Sequence, residues 1–225
     1  MVFIKQLRFY DTFIFDCDGV ILNSNPIKKQ AFYNSVISYG QDAADQLVAY
    51  NMKYGGKSRY EKFEYFIYNI IGRKPKPGEI RNLLQTFAKE VKKNLMKCEV
   101  ATGLIALREA TSKSRWLVVS GSDQAELREV FHKRGLEEYF DAGIFGSPDD
   151  KDEILKRELN NGNVRKPAVF LGDSYYDYEA ANRAGLDFIF IAGWSEFEKG
   201  KTYFNSRDVL VVDSLADLMK YLTTR

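Results

Sequence analysis

Six short runs rich in β-branched, aromatic and aliphatic residues recur along this chain, and over most of its length they alternate with segments of helical apolar spacing. The runs are Thr12–Phe15, Trp116–Val119, Ala142–Phe145, Ala168–Leu171, Asp187–Ile191 and Val209–Val212. Between them lie the amphipathic segments Gln124–Arg134, Asp150–Leu159 and Tyr176–Ala184, closed by Gly135, Gly162 and Gly185. Strands separated by helices are joined by crossovers rather than hairpins, so they run parallel. The pattern predicts an α/β fold with a Rossmann-like, doubly wound parallel sheet. A chain of 225 residues with 45% hydrophobic content suffices for one large domain or one domain plus an insert.

One region breaks the alternation. From about Asn23 to Glu99 nothing reads as a strand, and four helices follow one another. Ser58 and Glu61 have capping-box spacing, followed by Phe63, Phe66, Ile67, Ile70 and Ile71 and closed by Gly72. Pro75 and Pro77 mark a turn, after which Ile80, Leu83, Leu84, Phe87, Val91 and Leu95 keep helical spacing. The organisation expected is an α/β core, residues 1–22 and 100–225, with an inserted all-helical domain at 23–99. The charge divides along the same boundary. Residues 23–99 hold 14 Lys or Arg against 7 Asp or Glu, and the remainder holds 19 against 24. A basic insert over an acidic pocket would draw anions to the interface between them, although exposed helices also carry lysines for solubility alone.

Composition excludes some roles. A formal net charge of +2 is too small for a dedicated nucleic-acid binder. No stretch approaches the roughly 18 apolar residues of a membrane span, and the apolar run at the start is too short for a signal peptide. Cys17 and Cys98 lie far apart and form no metal-type cluster, which fits a reduced, cytoplasmic home.

The chemistry concentrates after the predicted strands. Thr12–Phe15 delivers Asp16 and Asp18, which a turn at Gly19 exposes. Alone, Asp-x-Asp-Gly also suits an ordinary turn or a calcium loop. Trp116–Val119 runs into Ser120, Gly121 and Ser122, Phe145 leads to Lys151, and Ala168–Leu171 leads to Gly172, Asp173 and Asp177. With parallel strands, these groups meet at one edge of the sheet. Together they supply a nucleophile, a proton carrier, a hydroxyl, a cation and carboxylates for a hard metal such as Mg²⁺. Lys151 falls near a helix start, where the macrodipole disfavours a cation unless it faces an anion.

In these residues and their order the chain resembles the haloacid dehalogenase superfamily of phosphohydrolases with an α-helical cap, including phosphoglycolate phosphatases and β-phosphoglucomutase. The resemblance implies that Asp16 is a nucleophile that becomes an aspartyl phosphate. Asp18 would be the general acid and then the general base, in a closed, drier site that favours its protonated form. Ser120, Gly121 and Lys151 would hold the phosphoryl group. Asp16, the carbonyl of Asp18, Asp173 and Asp177 would bind Mg²⁺. Arg59, in the loop Gly55–Arg59, would contact the substrate from the cap. The chain departs from the mutase pattern at Lys28, where a histidine stands, and at Gly55, where a lysine is common. Mg²⁺-dependent hydrolysis of a small phosphomonoester, a sugar phosphate or a phosphorylated carboxylic acid, is therefore expected, by a monomer or weak homodimer. The alternatives are a phosphomutase, a phosphonate hydrolase using Lys53 or Lys57, and a non-catalytic phosphate-ligand binding module.

Overall fold

The computed structural model describes residues 7–222. Among them are six strands: β1 (Thr12–Phe15), β2 (Arg115–Asp123), β3 (Ile144–Ser147), β4 (Ala168–Gly172), β5 (Asp187–Ile191) and β6 (Leu210–Val212). The α-helices are α1 (Asn25–Val36), α2 (Gln41–Lys53), α3 (Arg59–Tyr65), α4 (Glu79–Leu95), α5 (Leu104–Ala110), α6 (Gln124–Lys133), α7 (Lys151–Asn160), α8 (Tyr175–Arg183) and α9 (Gly200–Asn205).

All strand pairings are parallel, in the order β3-β2-β1-β4-β5-β6. β1 is central, with Phe15 opposite Val118 on one side and Leu171 on the other. Every residue of β1 is buried, as a strand covered on both faces requires. The two-residue period then sorts its side chains. Phe13 and Phe15 join Trp116, Leu107 and Val130 under α5 and α6, while Ile14 joins Leu117, Phe170, Ile154 and Ala180 under α7 and α8. Phe15 and Trp116, with ring centroids 4.4 Å apart, anchor the first layer. The winding reverses at β1, and the crevice this opens at the carboxyl ends of β1 and its neighbours is where the fold accepts ligands.

The bounds of β2, β3, β4 and β6 differ from those expected, by one residue at the end of β4 and the start of β6 and by more in β2 and β3. β2 continues to Asp123 because Asp123 still pairs with Ser147 of β3 after a register shift, so Ser120, Gly121 and Ser122 lie within a strand rather than in a loop. β3 starts at Ile144, later than Ala142.

Helices α1 to α4 are inserted between β1 and β2. Phe32, Phe63 and Phe87, from α1, α3 and α4, pack as a trio with centroids 4.4 to 5.9 Å apart. Ser58 caps α3 reciprocally with Glu61, and the helix passes into a π-helical turn at Phe66–Ile70. The two segments joining the insertion to the sheet run side by side: Asn23 N–H donates to Glu99 O (3.0 Å) and Ala101 N–H to Ile21 O (2.8 Å). Arg134, directly after α6, donates to the carbonyl of Leu95, the last residue of α4, and to that of Cys98 just beyond it, 2.7 Å each. No helix among the described residues is long and apolar enough to cross a membrane.

Candidate active site

Asp16 follows β1 directly, its N–H still donating to Leu171 O at 2.9 Å. The chain then turns back on itself, with the N–H groups of Ile21 and Leu22 both donating to Cys17 O. Gly19 makes the turn possible. It sits at φ 78°, and a Cβ there would lie 2.2 Å from Asp173 Oδ2. Asp173 follows β4, and Asp177 stands in the first turn of α8, where its carboxylate accepts from the Ser174 hydroxyl at 2.6 Å. The carboxylates of Asp16, Asp173 and Asp177 converge with ligand oxygens all within 4.8 Å of one another.

Lys151, the first residue of α7, enters this cluster fully buried. Its Nζ lies 2.9 Å from Asp16 Oδ1 and pairs with Asp177. The unfavourable placement of a cation at a helix start is offset by those two carboxylates and by the Asp150–Glu153 capping box. Burial alone would lower the lysine's pKa, but the charges of Asp16 and Asp177 reverse this and raise it. Asp16 itself is pushed up to about 7, chiefly by burial and then by the charges of Asp177 and Asp18, against the pull of Lys151. Asp173 is raised well above the carboxylate range by burial and by Asp16 and Asp177.

These acids fit a divalent metal. The donors are all carboxylate oxygens, the set that suits Mg²⁺ or Ca²⁺. Asp16 Oδ1 is buried, and the Lys151 ammonium 2.9 Å away is not aligned to donate a hydrogen bond to it, so the oxygen keeps lone-pair capacity for a metal ion. Burial first, and repulsion among the acids after it, raise the pKa values of Asp16 and Asp173, and a bound cation would relieve the repulsion.

Asp18 is held differently. It accepts from Lys28 Nζ (2.5 Å), from the Ser24 hydroxyl (2.5 Å) and from the Ser122 hydroxyl (2.7 Å), and Lys28 also meets Ser122. Burial would raise its pKa, but Lys28 and the hydroxyls outweigh that and hold it at about 2. The expected drier site is present, yet it keeps Asp18 ionised rather than protonated, because a cation is its neighbour. Asp16 and Asp18 are also less accessible than a solvent-exposed loop would make them; Asp16 is buried.

Lys28, Ser24, Asn25 and Ser122 received no role from the sequence. Asn25 donates to Asp173 Oδ2 at 2.9 Å. A signal existed, since Ser24, Asn25 and Lys28 share one face of the first turn of a helix directly after the acidic loop. Ser120 is fully buried, and its hydroxyl accepts from Ser122 N–H at 3.1 Å. Gly121 touches the insertion: a Cβ there would sit 2.1 Å from Gly56 O. Arg59 lines the cavity between insertion and sheet, but its guanidinium engages both oxygens of Glu126 of α6, at 3.2 and 3.0 Å, and lies over Phe87. Next to it, the Tyr60 hydroxyl donates to Asp123 at 2.8 Å. The cavity has a volume of about 590 Å³ and reaches from Asp16, Asp18 and Asp173 to Lys28, Arg59 and Lys62.

Residues 10–185 match the family of haloacid dehalogenase-like hydrolases. A phosphorylated carbohydrates phosphatase from Thermotoga maritima is 27% identical over 190 residues, covering 79% of this chain and 82% of that protein. Among solved structures, a predicted phosphoglycolate phosphatase from Haemophilus somnus superposes with a TM-score of 0.72 at 17% identity, covering 94% of this chain and 97% of its own. CbbY from Rhodobacter sphaeroides in complex with phosphate gives 0.69 at 19% identity, covering 96% and 100%. The chain belongs to the haloacid dehalogenase-like hydrolase family, and family and relatives together make it a phosphatase-like enzyme.

Proposed function

We propose that this protein hydrolyses a small phosphomonoester, a sugar phosphate or a phosphorylated carboxylic acid, by attack of Asp16 on phosphorus. The observation that carries the reading is the buried convergence of Asp16, Asp173 and Asp177 around Lys151 at the carboxyl edge of the sheet. The phosphorylated carbohydrates phosphatase from Thermotoga maritima supports the substrate class.

Asp16, the backbone carbonyl of Asp18, Asp173 and Asp177 would hold Mg²⁺. The metal would supply positive charge that lets a carboxylate approach a phosphate dianion. Lys151 adds fixed positive charge at Asp16 and is positioned before substrate arrives, so no reorganisation is needed as charge develops. Ser120 and the backbone beside Gly121 border the position of the phosphoryl oxygens. Asp18, held ionised by its neighbour, relays a proton of the Lys28 ammonium to the leaving oxygen, and the pair later accepts one from water. Lys28, hydrogen-bonded to it, shares that proton, so the carrier is the pair rather than the acid alone. The helices at 23–99 act as a cap domain over the core, excluding water from the phosphoryl group. The site suits a soluble metabolite, and the unpaired thiols of Cys17 and Cys98 suit the cytoplasm, with the chain acting as a monomer or weak homodimer.

Steady-state hydrolysis of 4-nitrophenyl phosphate with and without Mg²⁺, for the native protein and Asp16→Asn, tests the reading. Metal-dependent turnover that disappears in Asp16→Asn supports it; full turnover in excess chelator, or in Asp16→Asn, refutes it.

A further inference from the structure

Lys62 stands apart from the other cations of the cavity. Lys28 is neutralised by Asp18, Arg59 by Glu126, Lys57 by Glu61 and Arg183 by Asp152, while Lys53 is exposed to solvent and lies over the ring of Tyr54. Lys62, on α3, is buried, and its Nζ donates to the neutral Asn51 Oδ1 at 2.8 Å. It lies over the ring of Phe32, 5.3 Å from the centroid. No carboxylate among the described residues pairs with it; the acids it feels, Asp18, Glu196 and Glu61, act at a distance, and Lys28 opposes them. A buried ammonium without a counter-charge is costly, and a fold under no other demand would place an apolar residue there. Lys62 and Asn51 both line the cavity that contains Asp16 and Asp18.

We propose that Lys62, oriented by Asn51, is the subsite for a second anionic group of the substrate, a carboxylate or a second phosphate at the end remote from the scissile ester. The inference rests on the phosphatase reading and adds to it the identity of the group that the insertion recognises. The missing counter-charge of Lys62 is supplied by the ligand. Arg59, the other cation on α3 facing the cavity, is spent on Glu126 and clamps the insertion to α6 instead. Phe32 and Phe87 form apolar walls beside Lys62, so a carbon chain joining the two anions would lie against aromatic faces. The basic excess of the insertion favours the entry of such doubly charged molecules.

The test uses alkyl phosphates of equal chain length, three to five carbons, ending in a hydroxyl, a carboxylate or a phosphate. The native enzyme should favour the carboxylate or phosphate member over the hydroxyl member in kcat/KM by roughly 10- to 100-fold, the range a charge-assisted hydrogen bond spans. Which of the two is preferred identifies the anion. In Lys62→Met that preference should collapse to about twofold or less, with most of the loss in KM. Lys62→Gln serves the same reading if Lys62→Met does not fold. A native enzyme that ranks all three members equally, or a Lys62 variant that keeps the preference, overturns the subsite while leaving the phosphatase reading intact. Absence of hydrolysis of every member and of 4-nitrophenyl phosphate overturns both.

Discussion

Replacing Lys62 by methionine should stabilise the protein near neutral pH, and the gain should vanish as the pH rises. Burial first, and the neighbouring Lys28 second, lower the Lys62 pKa to about 7. In the unfolded chain a lysine titrates near 10.4. Between those values the unfolded state binds more protons than the native state, so stability falls as pH is lowered from about 10 to about 7 and falls no further below that. Fully developed, a shift of this size corresponds to about 4–5 kcal/mol, an upper bound for a group in a cavity water can reach. Methionine removes that penalty but leaves Asn51 Oδ1 without its donor, which costs about 1–3 kcal/mol. The net expectation is a gain of about 1–3 kcal/mol at pH 7, shrinking and changing sign by about pH 10. Urea unfolding of both proteins between about pH 6 and pH 10 measures it. A difference independent of pH, or a variant less stable than the native protein at pH 7, would refute the reasoning. A stabilised variant with lost substrate discrimination would show a cation retained for function at a cost in stability.

Three further outcomes follow from the geometry. Mg²⁺ held by Asp16 and Asp173 as proposed would compete with protons for them, since burial raises their pKa values, so the Mg²⁺-induced rise in Tm should be larger at about pH 8 than at about pH 5.5. An equal rise at both would remove those acids from the metal site. Gly121→Ala should push the Gly56 carbonyl off β2 and cost about 1–3 kcal/mol together with a fall in kcat/KM, read by thermal unfolding and aryl phosphate kinetics. The Arg59–Glu126 pair, little exposed and doubly bonded, should show a coupling of about 1–3 kcal/mol in a double-mutant cycle of Arg59→Met and Glu126→Gln; zero coupling would make the contact incidental.

The strand–helix alternation was readable because the central strands β1 and β4 are buried throughout and carry apolar runs. β1 and β5 have the bounds their sequences predict. The extension of β2 was hidden: Ser120, Gly121 and Ser122 look like a loop locally, and only pairing with β3, more than twenty residues on, makes them strand. The convergence of Asp16, Lys151, Asp173 and Asp177 was legible because parallel strands deliver their following residues to one edge. The partners of Asp18 and Arg59 were less so. Lys28 changes the protonation of Asp18 through a contact across a turn and a helix, and Glu126 claims Arg59 from 67 residues away. Lys62 was invisible as a special residue, since a lone lysine on an amphipathic helix reads as a solvated one until Asn51 and Phe32 are seen around it.

The role of Asp16 as nucleophile is tested most directly by trapping. Enzyme mixed with saturating aryl phosphate and Mg²⁺ is quenched in acid within one turnover, digested and mapped by mass spectrometry. A phosphoryl group on the peptide that carries Asp16 and Asp18, fragmenting to Asp16 and absent in Asp16→Asn, is the expected result. A phosphoryl group on any other residue, or turnover with an unmodified Asp16 and water as the direct nucleophile in single-turnover oxygen-18 labelling, would contradict it.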